Sequence, residues 1–449
     1  MQHCDTLILP GWCIPVEPHG LVLTDHAVAV ADGRIIDVLP ASAARNQYEP
    51  SVLIDRPGHV LIPGLVNAHT HAAMTLFRGL ADDLPLERWL KEAIWPAESR
   101  WVGAEMVRDG TRLAIAEMLL GGATCFSDQY FFPEIVAETA ADLHMRAMVG
   151  TPVLDFATPW AETAAEYLNK GADLVHDRYA DHPLIATCFV PHSTATVSDD
   201  AFAELRVMAD QLDKRIQIHL HESAQEVDDA IAATGMRPFE RLEQLGMVNA
   251  SLMAVHAVHL TDDEITRFAD AGVSVAHCPR SNLKLADGIA RVTDLQNAGV
   301  IVGLGTDSAA SNNVLDMLGE MRTAALLAKT QAQDAAALPA ASALRMATID
   351  GARTLGLEDR IGSIEIGKSG DLACIDLMQL NSQPVYDPVS QLVYTVQPQQ
   401  VRDVWVAGRH QVEDGKLTQI DQVEILARTA EWRERINKHN DIEMNQAES

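Results

Sequence analysis

The chain has 449 residues, with 34 Lys plus Arg against 63 Asp plus Glu, a formal net charge of −29, and 47% hydrophobic residues. That much apolar material supports a large core, and at about 150 residues per domain the length allows three domains, or one α/β barrel of about 250 residues with additions. So acidic a surface repels phosphate backbones and anionic lipid, which excludes nucleic acid and membrane surfaces as partners and favours a small neutral substrate.

No apolar run reaches the ~18 residues a membrane span needs, and the first residues lack the basic start and apolar block of a signal peptide. A cytoplasmic protein is expected. The six cysteines (Cys4, Cys13, Cys125, Cys188, Cys278 and Cys374) form no CxxC pair and read as buried thiols. Any metal ion would therefore be held by histidines and carboxylates.

Short β-type runs at 6–9, 27–30, 34–39 and 59–62 are broken by Gly and Pro. The same pattern returns at 361–366, 371–377, 392–396 and 401–406, the last followed by a turn at Ala407-Gly408. Strands about ten residues apart with Gly-rich turns predict a small β-sandwich. Residues 1–62 and 361–449 would build it together, with residues 63–360 inserted. That middle segment alternates. Apolar runs at 64–68, 123–127, 147–153, 184–190, 216–220, 252–255, 273–276 and 300–304 each precede a longer helix-like stretch. Among these helices are 86–98, 161–174, 200–212 and 261–271, the last with Thr261 as its N-cap. Eight βα units predict a protein of the α/β class, a (β/α)8 TIM barrel carrying the terminal sandwich. The charged tail 431–449 reads as a fraying helix.

In such a barrel, functional groups stand at the C-terminal ends of the strands. The first strand ends in Asn67-Ala68-His69-Thr70-His71, and residues i and i+2 of an extended chain share a face. The fifth ends in His219-Leu220-His221-Glu222, the sixth in His256-Ala257-Val258-His259, and the eighth in Gly305-Thr306-Asp307-Ser308. Alone, each piece has a plainer reading: an isolated HxH, a core histidine, or an Asp capping a helix. Together at four strand ends, three imidazoles and a carboxylate suit one divalent ion, Zn²⁺ or Fe²⁺.

The strings Pro63-Gly64-Leu65-Val66-Asn67-Ala68-His69-Thr70-His71, His219-Leu220-His221-Glu222, His256-Ala257-Val258-His259 and Gly305-Thr306-Asp307 resemble the amidohydrolase superfamily. Met74-Thr75-Leu76-Phe77-Arg78-Gly79, Ser281-Asn282-Leu283-Lys284-Leu285 and Asp307-Ser308-Ala309-Ala310-Ser311-Asn312-Asn313 narrow the resemblance to the 5-methylthioadenosine/S-adenosylhomocysteine deaminases, in the branch that also holds triazine hydrolases and guanine deaminases. The similarity covers residues 55–370. It implies one metal ion held by His69, His71, His219 and Asp307, and leaves His221 and His259 as structural histidines. Binuclear relatives bridge two ions with a lysine at the end of the fourth strand, and 184–192 contains none.

The resemblance also implies roles around the ion. Asp307 would take a proton from the attacking water, His256 would steady the tetrahedral carbon, and Glu222 would protonate the ring and then the leaving amine. Glu98 would accept ribose hydroxyls, His192 would contact the nucleoside, and Trp89 would pack on the alkylthio end. Asn282 and Ser308 would support the site. Because 147–177 holds no arginine and Lys170 is its only lysine, a homocysteine carboxylate finds no guanidinium fork there. 5'-Methylthioadenosine is the expected substrate. Other hydrolases of the branch, a non-catalytic barrel scaffold and a metal-binding module without turnover are the competing readings. A dimer or tetramer is implied by the family alone.

Overall fold

The computed structural model describes residues 1–447, with side chains through 438. The C-terminal helix, Gln422–Ala447, starts before the predicted tail. The tail's last two residues, and its side chains from 439 onward, lie outside the described residues.

Eight parallel strands form the barrel: Leu65–Thr70, Ala123–Gln129, Arg146–Val153, Ile185–Pro191, Ile216–Leu220, Leu252–His256, Ser274–His277 and Val302–Leu304. They correspond one for one to the apolar runs in the sequence. They are buried on both faces, as a parallel sheet covered by helices requires. Closure brings the eighth strand back to the first through a parallel bridge from Thr70 to Asp307. The Asn67 side chain staples the seam: its Oδ1 accepts from the Thr306 amide at 2.9 Å, and its Nδ2 donates to Thr306 Oγ1 at 2.8 Å. Gly305 lets the two strands meet, since a Cβ there would lie 2.9 Å from the His69 backbone nitrogen.

Helix Asp262–Ala271 has the N-cap expected at Thr261, and Glu264 completes a capping box with it. The predicted helix at 161–174 starts at Ala164, capped by Thr163. Residues 86–98 wind as Leu86–Arg88, a π-helical stretch Trp89–Ile94, and Trp95–Trp101.

The second sheet joins both termini. Strands Gln2–Cys13 and Tyr48–Pro63 run parallel, and Leu372–Asp376, Val401–Val406 and Arg409–Glu413 continue antiparallel from Tyr48–Pro63. Its inner face packs Val28, Val30 and Ile35 from the first part of the chain with Leu372, Cys374 and Trp405 from the last, giving the small sandwich.

Two predicted strands are not strands. Residues 361–366 form bends in which Ile361 and Ile364 are buried and Ile366 is exposed. Residues 392–396 overlap helix Pro388–Tyr394, which Asp387 caps and Pro388 opens. Pro388, Val389, Leu392 and Val393 are its buried positions, a helical spacing hidden inside an apolar β-rich run. All six cysteines are buried and free. No helix among the described residues is long and apolar enough to cross a membrane.

Candidate metal centre and active site

The C-terminal ends of the barrel strands converge on a cavity of about 900 Å³ lined by His71, His192, His219, Glu222, His256 and Asp307. His69 is wholly buried beneath it. His69, His71 and His219 each offer a ligand atom within 4.8 Å of the others, as do His69, His256 and Asp307. Asp307 Oδ1 stands 3.4 Å from His69 Nε2 and 3.2 Å from His71 Nε2.

The donor chemistry fits a divalent cation. Nδ1–H of His71 donates to the Gln129 carbonyl at 2.5 Å, and Nδ1–H of His219 donates to the His192 carbonyl at 3.0 Å. Each bond leaves an Nε2 lone pair facing inward. The Nε2 atoms of His69 and His219 approach to 3.2 Å, close enough for both to reach one cation. Burial holds His69 down to about 4 and His219 well below the ordinary histidine value. Burial also acts to lower His71, but the Asp307 carboxylate outweighs it and the group is raised. Burial opposes ionisation of Asp307, yet His69 and His71 hold it well below the usual carboxylate range. Its Oδ2 accepts from the Ser281 and Ser311 hydroxyls, both at 2.6 Å. Ser311 in turn accepts from Ser308 at 2.9 Å. The fourth strand, Ile185–Pro191, contains no lysine, so the expected bridging ligand of a two-metal site is absent.

Glu222 and His256 form a second group beside these residues. Glu222 Oε1 lies 3.5 Å from His256 Nε2. Burial, then Asp287, Asp307 and Glu226, push the Glu222 carboxyl well above its ordinary value, which favours its protonated form. Burial lowers His256 to about 3. His256 and Asp307 both have left-handed backbones, with φ of 71° and 59°, a conformation that costs about 1 kcal/mol or more for a side chain-bearing residue.

Farther up the wall stand Glu98, Trp89 and Tyr130. Tyr130 was not foreseen, although it follows directly on the second strand, Ala123–Gln129, where polar strand-end residues are informative. Trp89 Nε1 donates to the Ala81 carbonyl at 3.1 Å, which fixes the indole while leaving its face on the cavity. His192 Nδ1 lies 3.3 Å from Thr196 Oγ1.

His221 and His259 are committed elsewhere. The Phe239 amide donates to His221 Nε2 at 3.1 Å, and His259 Nε2–H donates to the Asp287 carbonyl at 2.6 Å. Residues 147–177 contain no arginine, but the cavity receives guanidinium groups from elsewhere in the chain. Arg237 and Arg241, from the segment after the fifth strand, line the cavity, and their distance in sequence from 147–177 hid them. Both are paired to carboxylates, Arg237 to Glu264 and Arg241 to Asp199.

Residues 60–410 match the amidohydrolase family. The chain is 48% identical over 426 residues to a 5-methylthioadenosine/S-adenosylhomocysteine deaminase from Teredinibacter turnerae, covering 95% of this chain and 96% of that one. It is 44% identical to the protein of the same name from Saccharophagus degradans, with 96% and 97% coverage. The crystal structure of an adenosine deaminase from Xanthomonas campestris with bound zinc superposes with a TM-score of 0.96 at 50% identity, over 97% of this chain and 99% of that one. An atrazine chlorohydrolase from Arthrobacter aurescens, complexed with zinc, gives 0.89 at 26% identity, over 95% and 99%. With this centre at the mouth of this barrel, the chain belongs to the amidohydrolase family and, within it, to the 5-methylthioadenosine/S-adenosylhomocysteine deaminases.

Proposed function

We propose that the protein hydrolytically deaminates an adenine nucleoside, with 5'-methylthioadenosine preferred, adenosine weaker, and S-adenosylhomocysteine disfavoured. The observation that carries this reading is Glu222, its Oε1 3.5 Å from His256 Nε2, lining one cavity with His71, His219 and Asp307. His69, His71, His219 and Asp307 would hold one divalent ion. Zn²⁺ is favoured over Fe²⁺ because the Xanthomonas campestris relative binds zinc. When bound, such an ion lowers the pKa of a water from ~15.7 towards 7.

The chain's own residues supply the remaining steps. Asp307, its Oδ2 steadied by two hydroxyls, accepts a proton from the attacking water. Glu222 gives its proton to the ring nitrogen as C6 becomes tetrahedral, which prevents negative charge from being stranded on the ring. His256 donates a hydrogen bond to the new oxygen. A proton then passes through Glu222 to the amine, the C–N bond breaks, and water plus the aminopurine has become the inosine analogue plus ammonia.

Glu98 accepts the ribose hydroxyls and His192 contacts the nucleoside. Trp89, Leu154, Phe156 and Pro159 give the tail an apolar wall. Arg237 and Arg241 would have to leave carboxylate partners to meet a homocysteine carboxylate, which supports the methylthio preference. Residues 63–360 are the proposed catalytic domain, with 1–62 and 361–449 as the sandwich domain. The net charge of −29 supports a chain without nucleic acid partners. A cytoplasmic homo-oligomer, dimer or tetramer, rests on the family resemblance and is tested by light scattering.

The test is ammonia release by zinc-loaded protein from 5'-methylthioadenosine, S-adenosylhomocysteine, adenosine and guanine in parallel. Fast release from the first with little from the second is expected. Equal rates on those two would keep the deaminase and remove the tail argument. Silence on all four would redirect the reading to triazines or to a non-catalytic scaffold.

A further inference from the structure

Asp307 presents its two oxygens to different neighbours. Oδ1 stands close to His69 and His71, while Oδ2 takes the Ser281 and Ser311 hydroxyls. The terminal torsion of an aspartate is broad and roughly two-fold, so partners rather than rotamer preference decide which oxygen points where. The two serines come from different elements. Ser281 sits on helix Pro279–Lys284, and Ser311 on the turn after the eighth strand. Ser308 gives its proton to Ser311 Oγ, which leaves the proton of Ser311 for Asp307.

One carboxylate holds the chain neighbours of both serines. Glu320, on helix Met317–Ala332, is wholly buried and does not line the cavity. Its Oε1 accepts from Asn312 Nδ2 at 2.6 Å, and its Oε2 accepts from the Arg280 backbone N–H at 3.2 Å. The Arg280 guanidinium lies farther off, with Nε 3.8 Å from Oε1. Asn312 directly follows Ser311, and Arg280 directly precedes Ser281. The Asn312 amide has one workable orientation, because Nδ2 also donates to the Thr306 carbonyl at 2.7 Å, where an oxygen would be repelled. Its Oδ1 is buried without a hydrogen-bond partner among the described residues, so the two acceptors at Nδ2 are what hold it. Burial raises the Glu320 carboxyl to about 8, against the Asn312 hydrogen bond, but the direction of both contacts is set by groups that present only N–H to it.

A buried carboxyl is costly unless it is hydrogen-bonded, and here its bonds draw two separate segments together behind the centre. We propose that Glu320 is a positioning residue: by holding Asn312 and the Arg280 backbone, it sets the Ser311 and Ser281 hydroxyls on Asp307 Oδ2 and so keeps Oδ1 turned toward His69 and His71. Without it the serines drift, Oδ2 loses donors, and the carboxylate is free to rotate out of the ligand set. The effect on turnover rests on the deaminase reading above, but the effect on metal binding does not.

The experiment combines zinc binding with kinetics. Glu320→Gln keeps the size of the side chain but sets an N–H against one of the two donors. Zinc affinity, measured by chelator competition, weakens about tenfold, the low end of what losing a support behind a metal ligand costs. At saturating zinc, kcat for 5'-methylthioadenosine falls by about the same factor, while KM stays within about twofold. Ser281→Ala combined with Ser311→Ala weakens zinc at least as much. Adding Glu320→Gln to that pair costs no more, because its effect passes through those hydroxyls. A residue that merely filled the core would multiply its loss with theirs. Wild-type zinc affinity in Glu320→Gln, or multiplying losses, overturn the proposal. Wild-type zinc affinity in the double serine variant overturns it too, even if Glu320→Gln does not fold. A wild type that binds zinc but releases no ammonia from any nucleoside refutes the deaminase reading, and the zinc affinities still decide this one.

Discussion

Tyr130 donates its phenolic proton to Glu98 Oε1 at 2.8 Å, across the wall of the cavity that leads down to the metal ligands. The pair matters because of where Glu98 titrates. Burial raises its carboxyl to about 7, against the lowering effect of the Tyr130 hydrogen bond.

A carboxylate accepts two ribose hydroxyls, whereas a carboxylic acid must give up an acceptor to its own proton. Glu98 is protonated below pH 7 and ionised above it, so KM for a nucleoside should fall as pH rises through about 7. Removing the Tyr130 donor raises the Glu98 pKa further, so Tyr130→Phe moves this limb to higher pH. At a fixed neutral pH, KM should rise about 3- to 10-fold, the scale of one hydrogen bond of ~0.5–1.5 kcal/mol. Comparing adenosine with its 2',3'-dideoxy analogue checks the assignment: a limb that persists without the hydroxyls belongs to another group.

Glu222→Gln tests the proton donor. Glutamine keeps the size and a donor N–H but cannot transfer a proton, so kcat should fall by about 10²–10⁴. Metal content should stay near one ion per chain, because Glu222 is not among the groups that meet at the centre. Elemental analysis alongside initial rates separates the two effects. Turnover close to wild type would remove Glu222 from the mechanism.

The site was legible where backbone geometry turns sequence spacing into spatial spacing. His69 and His71 share a face because a strand has a two-residue period, and the barrel places the ends of the fifth, sixth and eighth strands beside them. What supports those residues was legible only at Asn282 and Ser308, through the resemblance. Ser281, from the short helix Pro279–Lys284, and Ser311, from the segment after the eighth strand, meet on Asp307 along paths that no local pattern encodes. Arg237 and Arg241 reach the cavity from a helix far from the loop where an arginine was sought. The two misread strands have a similar cause. Val393 and Tyr394 are β-prone residues in a helix that Asp387 and Pro388 start, so the capping signal outweighed local propensity.

Metal removal should separate the ligands from the catalytic acid. A ligand that binds only the folded chain stabilises it by RT ln(1 + [L]/Kd), about 2.7 kcal/mol at a hundredfold excess over Kd. Zinc added to chelator-stripped wild type should therefore raise Tm and restore turnover together. His69→Ala should do neither, since the lost ring contacts both His219 and Asp307. If stripped His69→Ala gains as much Tm from zinc as the wild type, His69 is not a ligand.

Stability depends on a different pair, one that joins the barrel to the sandwich. Arg146 opens the third barrel strand, and its Nε and one terminal nitrogen meet both Asp371 oxygens at 2.8 and 2.9 Å. The side chains are 5% and 1% exposed. The Ala407 amide also donates to Asp371, at 2.8 Å, so this one carboxylate ties the barrel to the turn after strand Val401–Val406. Removing one member of a buried pair strands the other, at a cost of about 3–5 kcal/mol. Asp371→Ala should lose that much in urea unfolding, with kcat per folded molecule unchanged because the pair is remote from the cavity lining. Arg45→Ala breaks the exposed Arg45–Asp55 pair, 51% and 52% exposed, and should change stability by only ~0–1 kcal/mol. Equal losses in the two variants would mean that the buried pair adds nothing to the joint between the layers beyond what its apolar packing provides.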